Sequence, residues 1–354
     1  MKILYYTKYT RKGASSRLRS YQYFPYLEQM GYNIEVSPLF DDKYLNNMYD
    51  GKSVKLLILW SYLKRFFFIL KNIRNKVVFI EYELFPYLPA WTEYLLKMLG
   101  VKYIVDYDDA IFHKYEMNSS SIFRFFIGRK IDKVMKYSYM VIAGNNYLAE
   151  RAHIAGAKRV QVIPTVIDLN RYEIKEKEDE SKFVIGWIGT KSTFRYLYPL
   201  KNVLNRLIEN YGIYLNIVGA KELLGLGENE VHIEWSEENE VNSILTFDVG
   251  IMPLEDGYWE KGKCGYKLIQ YMGCGLPVIA SSVGANNDIV INGDSGFLVQ
   301  EENEWYKRLE QYIIDLSLRK SHGIKGRQLV ESKYSVQRQV NNYIEIYNTI
   351  FLKK

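Results

Sequence analysis

Short runs rich in Val, Ile, Tyr and Phe recur along this chain with helical patterns between them, at 2–6, 33–37, 77–81, 102–106, 139–143 and 160–163. The rhythm restarts at 183–188, 213–218, 231–235, 248–252, 277–280 and 297–299. That alternation predicts parallel sheets with helices on both faces. Between the two series lies 168–182, DLNRYEIKEKEDESK, charged and poor in apolar residues, which has the composition of an exposed linker. With 354 residues the chain exceeds the comfortable size of a single core. The expectation is two doubly wound, Rossmann-like α/β domains, 1–167 and 183–334. A helix over 335–354 should follow and pack back toward the N-terminal domain, since Val336, Val340, Tyr343, Ile344 and Tyr347 fall close to helical spacing. Ligands of open α/β sheets gather at the carboxyl ends of the strands, so two such domains facing each other would place their loops around one shared cleft.

Several classes are not expected. Cys264 and Cys274 have no partner His or second Cys pair at metal-ligand spacing, so neither a disulfide framework nor a zinc site is expected, and a reducing cytoplasm fits. The first ten residues, MKILYYTKYT, lack the apolar run of a signal peptide. The longest apolar stretch, 54–70, is interrupted by Lys55, Lys64 and Arg65 and is too charged to span a bilayer. A net charge of +6 suits an anionic membrane surface, a nucleic acid or an anionic substrate, and does not choose among them. No nucleic-acid-binding motif accompanies the charge, so nucleic acid is not an expected partner.

The most informative stretch is 261–280, KGKCGYKLIQYMGCGLPVIA. Gly262 and Gly265 open a helix with Leu268, Ile269 and Met272 on one face; Gly273 and Gly275 end it, and a strand follows Pro277. The amides and positive dipole end of such a helix start suit a diphosphate, with Lys263 and Lys267 adding charge beside it. The same pattern also describes an ordinary helix-to-strand unit with solvated lysines.

These residues resemble a known family. GYKLIQYMGCGLPVIAS with Val283-Gly284-Ala285-Asn286 is similar to the donor-site motif of family-four retaining glycosyltransferases of GT-B architecture. So are Trp187-Ile188-Gly189-Thr190-Lys191-Ser192-Thr193, 248–254 (DVGIMPL) and 293–299 (GDSGFLV). In the first half, Ser15-Ser16-Arg17, 106–112 (DYDDAIF), Ala143-Gly144-Asn145 and Ile163-Pro164-Thr165 resemble its capsule and lipopolysaccharide branch. The resemblance implies a retaining transfer from a nucleotide-diphosphate sugar, with no cofactor and no metal.

Its roles carry over residue by residue. The family's glutamate, seven residues, glutamate signature falls on Gly262 and Gln270, a departure at both ends. Gln270 would hold the donor ribose through its amide, and Glu260 is the nearest carboxylate for the sugar. The diphosphate grip implies Lys191 and Arg195 past Gly189 and Thr190, beside Gly265 and Tyr266. In the family the loop 13–17 approaches the donor phosphate, which implicates Gly13, Ser15 and Arg17. Asp106-x-Asp108-Asp109 is like a metal-binding DxD but ends a first-domain strand, and is read as acceptor-side. Asp108, near where relatives carry a histidine, would position or deprotonate the acceptor hydroxyl; Asp109 would share the site or cap the next turn, and His113 would share the site or be structural.

Two segments, Lys64-Arg65-Phe66-Phe67-Phe68 and 123–130 (FRFFIGRK), mix cations with aromatics. They fit a peripheral contact with an anionic membrane, or core helices whose cations snorkel. The expected protein is a cytoplasmic glycosyltransferase acting on a glycan or lipid-linked acceptor, at the inner face of the membrane, in bacterial surface polysaccharide synthesis. Two alternatives stay open: a nucleotide-sugar epimerase of the same architecture, and a non-catalytic sugar-nucleotide-binding protein.

Overall fold

Twelve strands form at the expected places. In the first series they are β1 (Lys2–Tyr6), β2 (Asn33–Val36), β3 (Val77–Glu81), β4 (Lys102–Tyr107), β5 (Met140–Ala143) and β6 (Val160–Val162). The second series comprises β7 (Val184–Ile188), β8 (Tyr214–Val218), β9 (Glu230–Ile233), β10 (Val249–Met252), β11 (Val278–Ser281) and β12 (Gly296–Val299). The computed structural model describes residues 1–72, 77–175 and 182–352. Of the expected linker, 176–181 lie outside the described residues, as do 353–354 of the expected C-terminal helix.

The chain divides into two compact units. The first comprises Met1–Thr165, Gly262–Cys264 and Gln339–Lys354, and the second Val166–Lys261 and Gly265–Arg338. Each contains one six-stranded sheet, ordered β2-β1-β3-β4-β5-β6 in the first and β12-β11-β10-β7-β8-β9 in the second. Every ladder is parallel. Covering both faces of a parallel sheet buries its central strands on both sides, and all five residues of β3 are buried, four apolar and then Glu81. In each sheet the chain adds strands to one side of its first strand and then reverses to the other. The reversal falls between β1 and β3 in the first unit and between β7 and β10 in the second, and the crevice at such a point is where open α/β sheets take ligands.

The first unit is closed by the C-terminal helix, Val336–Leu352, whose residues from Gln339 onward belong to it. Tyrosines make this contact. Tyr343 packs on Tyr23 with ring centroids 4.5 Å apart, the hydroxyls of Tyr5 and Tyr347 bond one another, and the Tyr32 hydroxyl donates to Asn348 Oδ1 at 2.8 Å. Tyr5, Tyr347 and Tyr32 find hydroxyl partners there, whereas the hydroxyls of Tyr23 and Tyr343 are buried without one among the described residues, so those two contribute through their ring packing.

Beneath the carboxyl edge of the same sheet lies a buried ion pair. Arg19 Nε donates to Asp106 Oδ2 at 2.9 Å and Nη2 to Oδ1 at 2.5 Å, while Nη1 reaches the Ile163 carbonyl at 2.9 Å. This bidentate fork joins the helix Ala14–Arg19 to β4 and to the segment after β6. Asp106 is thereby committed to structure.

In the second unit the helix Tyr266–Gly273 lies against β10 and β11. Gly250 permits that approach, because a Cβ there would come within 2.2 Å of the Tyr271 ring. Tyr271 in turn accepts a bond from the Ile188 amide at 2.9 Å, fixing the helix to the end of β7.

Replacing Asp106 by Asn leaves Arg19 buried without a counter-charge. We expect Asp106→Asn to lower stability by roughly 3–5 kcal/mol, measured as a fall in the urea midpoint.

Candidate functional site

In the first unit the carboxyl ends of β1, β3 and β4 converge on a polar cluster. After β1 the chain runs into the helix Ala14–Arg19, with Gly13 as its N-cap. The expected loop 13–17 is therefore a helix start: Ser15 and Arg17 stand on a helix, and Arg17 is buried. Ser16 accepts a bond from the Tyr9 amide at 3.0 Å and donates to Glu81 Oε2 at 2.6 Å, and the Lys8 amide donates to the same oxygen at 3.0 Å. Glu81, the last residue of β3, thus pins the segment that follows β1.

Asp108 sits at the centre of a second group. Ser15 Oγ donates to its Oδ2 at 2.9 Å, the Tyr82 hydroxyl donates to its Oδ1, and Ser15 Oγ lies 2.8 Å from the Tyr82 hydroxyl. The structure therefore brings Ser15 and Asp108 together, with Tyr82 between them. Tyr82 takes a φ of +61°, unusual for a bulky residue, and backbone strain of this kind gathers at functional sites.

Beside Asp108, the segment Gly262–Cys264 is fastened to the first unit. Asn145 Nδ2 donates to the carbonyls of Gly262 and Lys263 at 3.1 and 3.0 Å, while its Oδ1 caps the helix Asn146–Ile154 through the Leu148 amide. The Cys264 thiol donates to the Asp108 carbonyl at 2.9 Å. Lys263 is thus grouped with Asp108 and Asp109, and Lys267 belongs to the second unit.

Two carboxyls here are poised near neutrality. Burial pushes Glu81 up to about 7, against the pull of its bond from Ser16, and its Oε1 is buried without a hydrogen-bond partner among the described residues. Loss of hydration and then the charge of Asp108 push Asp109 up to about 7, with Lys263, Lys114 and Lys8 opposing. Such values suit proton transfer. Among the described residues the Asp109 side chain caps no turn; its carbonyl accepts from the Ile111 amide at 2.8 Å. His113 has both ring nitrogens engaged, with Glu116 at 2.6 Å and Tyr147 at 2.9 Å.

In the second unit the expected donor residues fall into three groups. The first lies where β7 ends: Lys267 Nζ stands 4.7 Å from the Trp187 ring, whose far edge abuts Gly189. Thr190 caps the short helix Lys191–Phe194 there, and exposed Lys191 lies 3.5 Å from Glu222. Gly265, at φ +63°, takes the N-cap position of the helix Tyr266–Gly273 with no side-chain cap.

The second group meets at Tyr172. Gln270, buried, donates through Nε2 to the Tyr172 hydroxyl at 2.9 Å, Tyr172 donates to Glu240 Oε1 at 2.8 Å, and the Tyr266 hydroxyl is 3.4 Å from that of Tyr172. In the third group Glu260 is buried, accepting from the Tyr196 hydroxyl and from Arg195 Nη2 at 3.1 Å. Glu81, Tyr82, Tyr172 and Glu240 were not foreseen. Only Glu81 carries a sequence signal, its place at the carboxyl end of a strand beside the reversal.

Residues 182–316 match the family model described as "Glycosyl transferases group 1". The capsular polysaccharide biosynthesis glycosyltransferase CapM of Staphylococcus aureus is 26% identical over 203 residues, 53% of this chain and 52% of that protein. The uncharacterized glycosyltransferase MJ1069 of Methanocaldococcus jannaschii is 24% identical over 268 residues, 68% of this chain and 66% of that protein. The chain thus spans between half and two thirds of the length of these curated relatives. Among solved structures, a glycosyltransferase from Rickettsia africae superposes with TM-score 0.73 at 16% identity, covering 100% of this chain and 99% of that one. Anabaena Alr3699/HepE, solved with UDP and glucose, gives 0.70 at 16% identity over 98% and 99%.

The protein therefore has the α/β, two-domain, Rossmann-like fold of the GT-B glycosyltransferases. In sequence, residues 182–316 are similar to the group 1 glycosyltransferases, and longer stretches to the glycosyltransferases CapM and MJ1069.

Native Glu81 holds its proton up to about pH 7, whereas its ordinary value is 4.5. Between these values the native state binds more protons than the unfolded chain, so stability should fall as pH rises through the window. Thermal unfolding from acid to neutral pH should show this slope, and Glu81→Gln should flatten it. At Gln270, the isosteric Gln270→Glu removes the donor to Tyr172 and sets a second carboxylate against Glu240. A loss of about 1–3 kcal/mol is expected, seen as a lower melting temperature even without ligand.

Proposed function

We propose that the protein transfers a sugar, with retention of configuration, from a nucleotide-diphosphate donor to a hydroxyl of a glycan or lipid-linked acceptor. Its place would be the cytoplasmic face of the cell membrane, in bacterial surface polysaccharide synthesis. The observation that carries the transferase reading is the group 1 match over 182–316, which takes in both strand ends at the β7–β10 reversal and the helix opened by Gly265. The role of CapM in capsular polysaccharide biosynthesis supports the pathway class, and the UDP and UDP-glucose complexes of Alr3699/HepE support a uridine nucleotide donor.

In this scheme Lys267 and the start of its helix, with Gly189, Thr190 and Lys191, stabilise charge developing on the departing diphosphate. Glu260 orients Arg195 for the same task. Gln270 and Tyr266 line the nucleoside side through Tyr172. Asp108, held by Ser15 and Tyr82, aligns the acceptor hydroxyl. The charge stabilisation comes from lysines and backbone amides, so the scheme requires no metal.

The test is incubation of the protein with UDP-sugars and candidate acceptors, with and without a chelator, following UDP release and the product anomer by NMR. Transfer with the donor's anomeric configuration, insensitive to chelator, is expected, and Lys267→Ala should weaken UDP binding in calorimetry. Absence of UDP-sugar affinity, inverted product, or activity abolished by chelator and restored by magnesium would each overturn the corresponding part.

A further inference from the structure

The apolar stretch that is too charged to span a bilayer folds as the helix Lys55–Asn72, which is apolar on more than the face it buries. Arg65 and Ile69 are buried, and Tyr62, Phe66 and Phe68 pack on the core beside them. Arg65 Nη2 donates to the carbonyls of Thr7 and Ser37 at 2.8 and 2.7 Å, and the guanidinium lies 5.0 Å from the centre of the Tyr6 ring. The outer face is apolar. Leu56, Leu59, Trp60, Leu63, Phe67 and Leu70 recur at spacings of three and four residues, which puts them on one stripe. They are open to solvent, with Leu56 75%, Trp60 67% and Phe67 64% exposed.

The stripe continues onto neighbouring segments of the same unit. Phe66 of this helix lies 6.3 Å from Trp91, itself partly exposed, and Tyr62 donates to the Pro86 carbonyl. Tyr87, exposed, is 6.2 Å from Phe123 in the helix Ser121–Ile127, which presents Phe125 at 84% and Phe126 at 68% exposure. Exposed apolar area on this scale marks an interaction surface.

Charge selects the partner. Residues 55–72 and 119–130 contain no Asp or Glu, while Lys55, Lys64 and Lys71 stand exposed around the stripe and Arg124 and Arg129 beside the two phenylalanines. Leucines, tryptophan and phenylalanines flanked only by cations fit the boundary of an anionic bilayer, where rings and aliphatic chains enter the acyl region and cations meet phosphates.

We propose that this face of the first unit, the Lys55–Asn72 helix with the tip of the Ser121–Ile127 helix, docks on an anionic lipid bilayer. The proposal deepens the transferase reading and rests on it for one point only, that the acceptor is lipid-borne. Arg65 ties the docking helix to the segment after β1, which Glu81 and Ser16 fasten beside Asp108. A membrane-held acceptor is thereby presented next to the proposed acceptor residues of the same unit.

Vesicle co-sedimentation of the intact protein tests the docking without any sugar chemistry. Vesicles of phosphatidylcholine alone are compared with vesicles also containing phosphatidylglycerol, at low and high salt. Binding to the anionic vesicles, weakened by salt and reduced about tenfold or more in Trp60→Ser/Phe67→Ser, is expected. Phe125→Ser/Phe126→Ser is the second variant should the first unfold, and UDP binding by either variant should be unchanged. Three outcomes would overturn the proposal: no vesicle binding, equal binding by the wild type and both variants, or a concentration-dependent dimer that these substitutions dissolve, which would assign the face to a second copy. Loss of UDP-sugar affinity in the wild type would instead count against the transferase reading and leave the lipid result standing.

Discussion

A parallel sheet sends every strand in the same direction, so all of its strand-to-helix connections emerge at one edge, and the chain must part them where it reverses direction. In both units that reversal lies beside the first strand of the sheet, between β1 and β3 and between β7 and β10. Polar groups gather at both of those places. Lys8, Ser15, Ser16, Glu81 and Tyr82 surround the first, and Gly189, Thr190 and Lys191 follow β7 at the second. The Arg19–Asp106 fork and the Tyr271–Ile188 bond then hold the supporting helices against these edges. Both use buried polar contacts where an apolar one would pack as well, and such contacts fix a register that hydrophobic burial alone leaves loose.

The sequence made the sheets legible because strands covered on both faces leave a continuous apolar signature, and all twelve appear where those runs predict. The helix at Gly265 was legible for the same kind of reason: an opening glycine, an apolar face and a glycine stop are local features, whereas the positive φ of Gly265 emerges only in the structure. What the sequence withheld depends on distant partners. Nothing local marks Tyr82 for a positive φ; its conformation is held by Asp108 and Ser15, respectively 26 and 67 residues away. The loop expected at 13–17 comes from the resemblance alone; the segment instead opens the helix Ala14–Arg19, where Ser15 and Ser16 spend their hydroxyls on Asp108 and Glu81. The Asp106-x-Asp108-Asp109 run separates into three roles that spacing alone does not distinguish: a salt bridge, a hydrogen-bonded cluster and a carboxyl near neutrality.

The departures from the family signature also acquire a physical setting. At position 262 a side chain has no room, since a Cβ would come within 2.3 Å of Ala110 Cβ while Asn145 grips the same peptide. At position 270 the amide supplies a hydrogen that a carboxylate lacks, and Tyr172 accepts it while giving its own to Glu240. A glutamine is therefore matched to a neighbouring carboxylate already in place: charge at 270 would be set against Glu240, and neutrality removes that repulsion. Both departures read as adaptation of the local packing to different residues.

The Lys55–Asn72 helix shows how such adaptation reaches the surface. A helix has one face to bury, and burying an arginine requires that its guanidinium be satisfied from within. Two backbone carbonyls and the Tyr6 ring do this for Arg65, while Ile69, Tyr62, Phe66 and Phe68 of the same helix pack on the core. The helix is thus apolar where it meets the core and apolar again along its outer stripe, where a helix surrounded by water alone would present polar residues. The stripe therefore points to a second environment. Because Arg65 holds the same carbonyl segment that Glu81 fastens beside Asp108, whatever the stripe rests on is coupled by direct bonds to the carboxyl edge of β1.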